Sequence, residues 1–201
     1  EFRNQFYAFA QLHWQITARL KAQAGISLNK TSYDFRDRFT EGDANRSAVR
    51  DFNPIVLPGF DLRYSIGEAS WVYVNVSRGF SNPSLEETLT PDGVINPEIS
   101  QEKGMNYEAG GTGFWFNKRL QGSVSLYQMD IKDLLVAQRV GEDEFIGRNA
   151  GKTRHRGMEL SLQYFMRPGN AWSVSPFLSY TLNDHNFIDF VIEDSDFSGN
   201  P

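Results

Sequence analysis

The sequence predicts an all-β fold, an antiparallel membrane-spanning β-barrel wall of about eight strands. Apolar and polar residues alternate with period two along eight segments. The connections between those segments are by turns short and long. All four tryptophans, Trp14, Trp71, Trp115 and Trp172, fall within a few residues of a short connection.

The first segment sets Phe6, Ala8, Ala10, Leu12, Trp14 and Ile16 on one face against Tyr7, Phe9, Gln11, His13 and Gln15. The second alternates Leu20, Ala22, Ala24, Ile26 and Leu28 with Lys21, Gln23, Gly25, Ser27 and Asn29. Phe60, Leu62, Tyr64 and Ile66 then oppose Asp61, Arg63 and Ser65, and Val72, Val74 and Val76 oppose Tyr73, Asn75 and Ser77. A glycine-diluted fifth segment keeps phase through Tyr107, Ala109 and Trp115. Leu120, Gly122, Val124 and Leu126 form the sixth apolar face, and Leu160, Leu162 and Tyr164 the seventh. The eighth is placed over residues 172–181, with Trp172, Val174, Pro176, Leu178 and Tyr180 in phase. No segment carries a convincing 3.6-residue period.

Alternation alone fits any half-exposed antiparallel sheet, so the connections matter more. The short ones are Thr17-Ala18-Arg19, Gly67-Glu68-Ala69, Asn117-Lys118-Arg119 and Arg167-Pro168-Gly169-Asn170. The long ones cover residues 34–54, 81–104 and about 137–149. Outer-membrane barrels have tight periplasmic turns and long extracellular loops, whereas a soluble sandwich has no reason to gather its long loops at one end. Trp14, Trp115 and Trp172 also lie on the apolar face, as an interfacial aromatic girdle requires. On this reading both the first and last strands have their outer ends extracellular. Residues 1–201 are therefore expected to be part of a larger barrel domain, with terminal strands and any plug outside this sequence.

Composition narrows the classes. Forty per cent of the residues are hydrophobic and the net charge is −5, which argues against wholesale disorder. With no cysteine there is no disulfide framework or thiolate chemistry. No stretch approaches the ~20 apolar residues of a membrane helix, but a β-strand crosses in about 9–11 residues with only alternate ones apolar. No basic block suggests a nucleic-acid partner; the nearest group, Arg36, Arg38, Arg46 and Arg50, is interleaved with Asp34, Asp37, Glu41 and Asp43.

Nothing resembles a catalytic constellation, and no enzyme activity is expected. His13, His155 and His185 are far apart in sequence, without metal-ligand spacing. Glu108 and Glu159 are inward-facing carboxylates on different strands, expected to pair with lumen cations such as Arg63 or with a plug. Asp194-Ser195-Asp196-Phe197-Ser198-Gly199 matches only the opening of an EF-hand-like calcium loop, a weak candidate held by Asp194 and Asp196.

Several stretches resemble TonB-dependent receptors of the siderophore-receptor type. They are Arg78-Gly79-Phe80-Ser81-Asn82-Pro83-Ser84 followed by Glu86; Asn96-Pro97-Glu98 with Glu102 and Asn106-Tyr107-Glu108-Ala109-Gly110; and Tyr127-Gln128-Met129-Asp130-Ile131-Lys132-Asp133. Asn149-Ala150-Gly151-Lys152-Thr153-Arg154-His155-Arg156-Gly157-Met158-Glu159 and Ser179-Tyr180-Thr181-Leu182-Asn183-Asp184 continue in family order, so the resemblance covers most of the chain from Phe52 onward. It implies a barrel of about 22 strands in the bacterial outer membrane, importing a ferric siderophore or similar scarce nutrient. The energy would come through TonB, by N-terminal segments that this chain lacks. No cofactor is implied beyond the transported ferric chelate, and lipid is the surrounding partner. Guanidinium groups bind carboxylates bidentately, so Arg36, Arg38, Arg46 and Arg50 are candidate ligand contacts, with Arg63 and Tyr73 on the lumen wall. A passive porin-type channel and a soluble β-sheet carbohydrate-binding module are the alternative readings.

Overall fold

In the computed structural model the alternating segments become one antiparallel meander. Residues 2–139, 141–142, 144–149, 151–167, 172–192, 195–196 and 198–199 are described. The strands are β1 (Phe2–Gln15), β2 (Leu20–Phe35), β3 (Ala48–Asp51), β4 (Ile55–Ser65), β5 (Trp71–Ser81), β6 (Glu102–Trp115) and β7 (Leu120–Lys132). They continue with β8 (Leu135–Arg139), β9 (Phe145–Asn149), β10 (Lys152–Tyr164), β11 (Phe177–Asp189), β12 (Val191–Ile192) and β13 (Ser195–Asp196). The main sheet runs β1-β2-β4-β5-β6-β7-β10-β11, with β3 paired to β2. Its two edges are β1 and β11, while β8–β9 and β12–β13 are separate small hairpins.

The register gives the sheet two chemically distinct faces. Along β2, Leu20, Ala22, Ala24, Ile26 and Leu28 stand opposite Tyr64, Leu62, Phe60, Pro58 and Val56 of β4. The same face continues through Val72, Val74 and Val76, then Gly111, Ala109 and Tyr107, and on to Leu160, Met158, Tyr180 and Leu182. These side chains are widely exposed, Ile26 at 53%, Leu126 at 54% and Leu182 at 55%. A contiguous apolar face of this size is what a lipid-facing wall presents.

The strands are also staggered. A line of directly paired residues runs from Leu12 through Ala24, Phe60, Val76, Tyr107, Gln128 and Arg156 to Asp184. Leu12 lies three residues from the turn end of β1 at Gln15, whereas Asp184 lies seven from the turn end of β11 at Phe177. Such a drift is the register shift that strand tilt imposes on a barrel wall.

Three of the predicted tight turns are as expected. Thr17 Oγ1 accepts from the backbone N–H of Arg19 (3.2 Å) and Leu20 (3.0 Å) between β1 and β2. Ile66 N–H donates to Ser70 O at 2.8 Å between β4 and β5. Phe116, Asn117 and Lys118 all have positive φ (54°, 57° and 64°) between β6 and β7. Asn is the type best suited to that region, since its short polar side chain tolerates left-handed backbone. Beside this turn the Trp115 ring lies over the paired Gly113 and Gly122, where a Cβ would meet it at 2.7 and 3.0 Å.

The eighth strand differs from the expectation. It runs over Phe177–Asp189 rather than residues 172–181, so His185 is in the strand and not in a following loop. Trp172 and Val174 belong instead to a longer connection in which Met166 and Val174 form an isolated bridge. Pro176 explains the boundary: it has no N–H to extend the ladder, though its carbonyl accepts from Tyr164 N–H at 3.0 Å. Residues 168–171, which include all of the predicted turn at 167–170 except Arg167, lie outside the described residues.

The buried core lies at the long-loop end, not within the wall. Tyr33, Phe52, Ile55 and Ile99 are buried there with Thr31 and Thr88. Tyr33 packs edge-on against Phe52 (ring centroids 5.3 Å apart) and donates its hydroxyl to Pro83 O at 2.8 Å. Thr31, Asn82 and Gln101 form a chain, Asn82 Nδ2 donating to Thr31 Oγ1 at 3.2 Å and Gln101 Nε2 to Asn82 Oδ1 at 2.9 Å. The β8–β9 hairpin is held by Asn149, whose Nδ2 donates to Ser100 O (3.0 Å) and Asp133 O (2.6 Å) and whose Oδ1 accepts from Ser100 N–H (2.6 Å). Gly147 sits directly under the Glu87 carbonyl, where a Cβ has no room. Replacing Gly147 by Ala should push this hairpin away at a cost of about 1–3 kcal/mol. Hydrogen exchange should then show faster exchange in residues 82–101 and 135–149, with the strands below unchanged.

Candidate functional site

The face opposite the lipid-facing one is polar, and its side chains bond to one another across strands. Tyr73 donates its hydroxyl to Glu108 Oε1, which also accepts from Ser125 Oγ at 3.1 Å. Tyr127 donates to Asn183 Oδ1 at 2.6 Å, and Ser123 and Ser161 hydroxyls meet at 2.7 Å. Glycine makes two of these contacts possible. The Tyr127 ring lies across Gly157, where a Cβ would come within 2.5 Å, and a Cβ at Gly110 would meet the Val124 carbonyl at 2.6 Å and the Tyr73 hydroxyl and ring at 2.8 and 2.9 Å. Arg63 does not pair with Glu108 or Glu159: its guanidinium sits 4.0 Å from the centroid of the Trp71 ring, near the short-turn end of the wall. That contact also accounts for Trp71, the tryptophan placed on the polar face.

Above this wall the four loop arginines do not converge. Arg36 pairs with Asp34 (3.0 Å) and lies over the Phe2 ring at 5.1 Å, and its hydrogen bond to Asp34 raises its pKa above the ordinary value. Arg50 donates to Ile99 O and lies 5.1 Å over the Phe52 ring, so it belongs to the buried cap. Arg38 is exposed, and Arg46 extends over Gly93. Arg38 has no ion-pair partner among the described residues; Arg46 makes no close ion pair there, but after the Thr90 hydroxyl its charge helps hold the Asp92 carboxyl below the usual carboxylate range. Asp37 organises their loop. Its Oδ1 accepts from Phe39 N–H (2.9 Å) and Thr40 N–H (3.2 Å), and its Oδ2 from Arg46 N–H (3.3 Å). The Phe39 amide above all holds its carboxyl below the usual carboxylate range.

The model matched by the whole chain, residues 1–201, is that of the TonB dependent receptor-like β-barrel. The chain belongs to that family. Solved structures agree on the fold: the siderophore receptor PiuA from Acinetobacter baumannii superposes with a TM-score of 0.71 at 15% identity, over 98% of this chain and 29% of that one. The ferric-catecholate import receptor Fiu from E. coli K12 gives 0.67 at 19% identity, over 94% and 28%. The alcaligin outer-membrane receptor FauA from Bordetella pertussis gives 0.61 at 18%, over 99% and 31%. The chain thus spans less than a third of the length of these receptors.

As part of a TonB-dependent receptor barrel in the bacterial outer membrane, the sheet acquires a direction. The long-loop cap is extracellular, the tight turns are periplasmic, and the polar face lines the lumen. Arg63 lies low on the lumen wall with Tyr73 beside it, directly paired across β4 and β5, while the loop arginines lie at the mouth. The calcium-loop candidate gains no partner: Asp194 lies outside the described residues, and Asp196 is exposed and accepts from Ser198 N–H at 2.8 Å. Among the described residues no group of three His, Cys, Asp or Glu side chains could hold a metal ion.

Two features escaped the sequence reading. On the lipid-facing side above the apolar belt, Lys103, Lys132 and Lys152 stand in one row across three adjacent strands. On the lumen side, His155 and His185 meet with their Nδ1 atoms 2.8 Å apart. Neither follows from spacing along the chain, because both depend on cross-strand register.

Asp37 yields a test with a definite sign. Its folded-state pKa is depressed, so its hold on the loop is complete above the ordinary carboxylate range and is lost as pH falls through the folded value. Amide exchange at Phe39, Thr40 and Arg46 should therefore accelerate on acidification beyond the intrinsic rate change. In Asp37→Asn that additional acceleration should be absent.

Proposed function

We propose that this chain is eight consecutive strands of an outer-membrane receptor that captures an anionic ferric siderophore, or a similar scarce nutrient, and imports it with energy relayed through TonB. The observation that carries this reading is a folded extracellular cap bearing exposed arginines above a hydrogen-bonded polar lumen wall, in a chain of the TonB-dependent receptor family. The open edges at β1 and β11 leave backbone groups that must be paired in a bilayer. Further strands of the barrel meet that need, and a plug and TonB-contacting segment would lie elsewhere in the whole protein.

Among the candidate ligand contacts, exposure favours Arg38 and Arg46. They are exposed and make no close ion pair among the described residues, Arg46 acting only at longer range on Asp92, whereas Arg36 is held by Asp34 and Arg50 by the cap. Arg63 and Tyr73 would meet the ligand later, on its way down the wall. Around the outside, Trp14 and Trp115 on the periplasmic rim, with Trp172, anchor the wall at the lipid interface. The row of Lys103, Lys132 and Lys152 faces the phosphate-bearing headgroups above the belt.

The experiment is ligand binding by the full-length receptor in detergent, with a panel of ferric chelates. Replacing both Arg38 and Arg46 by Ala should weaken binding of the cognate chelate about tenfold or more, since a hydrogen bond to a charged group contributes about 1.5–3 kcal/mol. Unchanged affinity would dismiss the arginine contacts alone. Ion conductance without chelate binding would replace the importer by a passive channel.

A further inference from the structure

We propose that His155, His185 and Met129 form a copper-binding site on the lumen wall, just below the extracellular cap. The site is independent of the chelate reading above. The three residues come from β10, β11 and β7, and the register places them in one row: Met129 opposite His155, and His155 opposite His185. All three share the lumen face, being in phase with Tyr127, Gly157 and Asn183 of the neighbouring row.

The geometry of the two imidazoles suits a metal ion. Their Nδ1 atoms are 2.8 Å apart and the rings meet edge to face, centroids 4.5 Å apart. Two cis donors about 2.0 Å from a square-planar ion are themselves ~2.8 Å apart. At that distance the two nitrogens are hydrogen-bonded, one donating and the other accepting according to tautomer. The other nitrogen of His155, Nε2, lies 3.0 Å from Thr153 Oγ1. A proton on Nε2 donated to that buried hydroxyl leaves His155 Nδ1 as a bare lone pair, the arrangement in which an outer partner orients a metal-ligating histidine. His185 is exposed, so its proton can move from Nδ1 to Nε2 through solvent as the rings turn both Nδ1 lone pairs toward an ion beside them.

The surroundings select the ion. The row beneath holds Asn75, Glu108, Tyr127, Gly157 and Asn183, and the row above holds Gly79, Gly104, Ile131, Thr153 and Phe187. Neither contains a lysine or arginine that would repel a cation. The site row itself offers no carboxylate, which disfavours calcium, magnesium and manganese. Imidazole suits copper in either oxidation state, and the thioether of Met129, 37% exposed, adds a soft donor that favours the cuprous form.

The test uses the full-length receptor in detergent, stripped of metal. Cupric ion added to the wild type should give an electron paramagnetic resonance spectrum with coupling to two imidazole nitrogens. His155→Gln and His185→Gln should each bind one equivalent less copper and lose that spectrum. Met129→Leu should keep the cupric spectrum and weaken cuprous binding, measured against a chromophoric chelator, about tenfold. In the unaltered receptor, copper should shield His155 and His185 from diethyl pyrocarbonate, read by mass spectrometry, which removes any dependence on how the variants fold. Equal modification of both histidines with and without copper would overturn the site, as would an undiminished copper count in correctly folded His185→Gln.

Discussion

A backbone amide in hydrocarbon has no water to bond to, so a chain that crosses a bilayer as strands must pair each N–H and C=O with a neighbouring strand. The unbroken ladder from β1 to β11 follows from that constraint. Once the ladder is continuous, each side chain has only two directions available, and register decides which. The valines of β5 face lipid because Tyr73 and Asn75 between them face the lumen. Gly110 and Gly157 are small because tyrosines on the adjoining strands need the space above them.

The same constraint explains why the buried core is displaced from the sheet. A wall whose apolar side chains are solvated by lipid gains nothing by covering them with protein, and its other face must stay polar. Close packing is then left to the segments that rise out of the membrane. There Tyr33, Phe52 and Ile99 are buried, and Asn82, Gln101 and Asn149 satisfy loop backbone and one another. Without that cap the long loops would hold exposed arginines on unstructured chain. With it, Arg38 and Arg46 stand on a base fixed by Asp37 and by the Arg50 contact with Ile99.

Period-two patterning made the wall legible from sequence because lipid demands it at every crossing. Seven of the eight strands were placed from residues such as Leu20 to Leu28 or Val72 to Val76, and the eighth was displaced because Trp172 and Val174 keep the same phase through a connection that is not strand. Family phrases made the receptor resemblance legible, and the family match bears it out. The cap was not legible. Its contacts join residues 31 with 82 and 96 with 147, separations at which neither periodicity nor propensity carries information.

The histidine pair shows how sharply such contacts depend on register. A tight turn over residues 167–170, with Met166 opposite Ala171, would set Leu182 opposite His155. An apolar, lipid-phase side chain would then share a position with a lumen histidine, a conflict between faces that a continuous sheet does not tolerate. Lengthening the connection, as Pro176 and the Met166–Val174 bridge do, moves the pairing by three residues and restores the phase. His185 then lies beside His155. The correction that gives β11 a consistent lipid face is thus the same one that creates the contact between the two imidazoles.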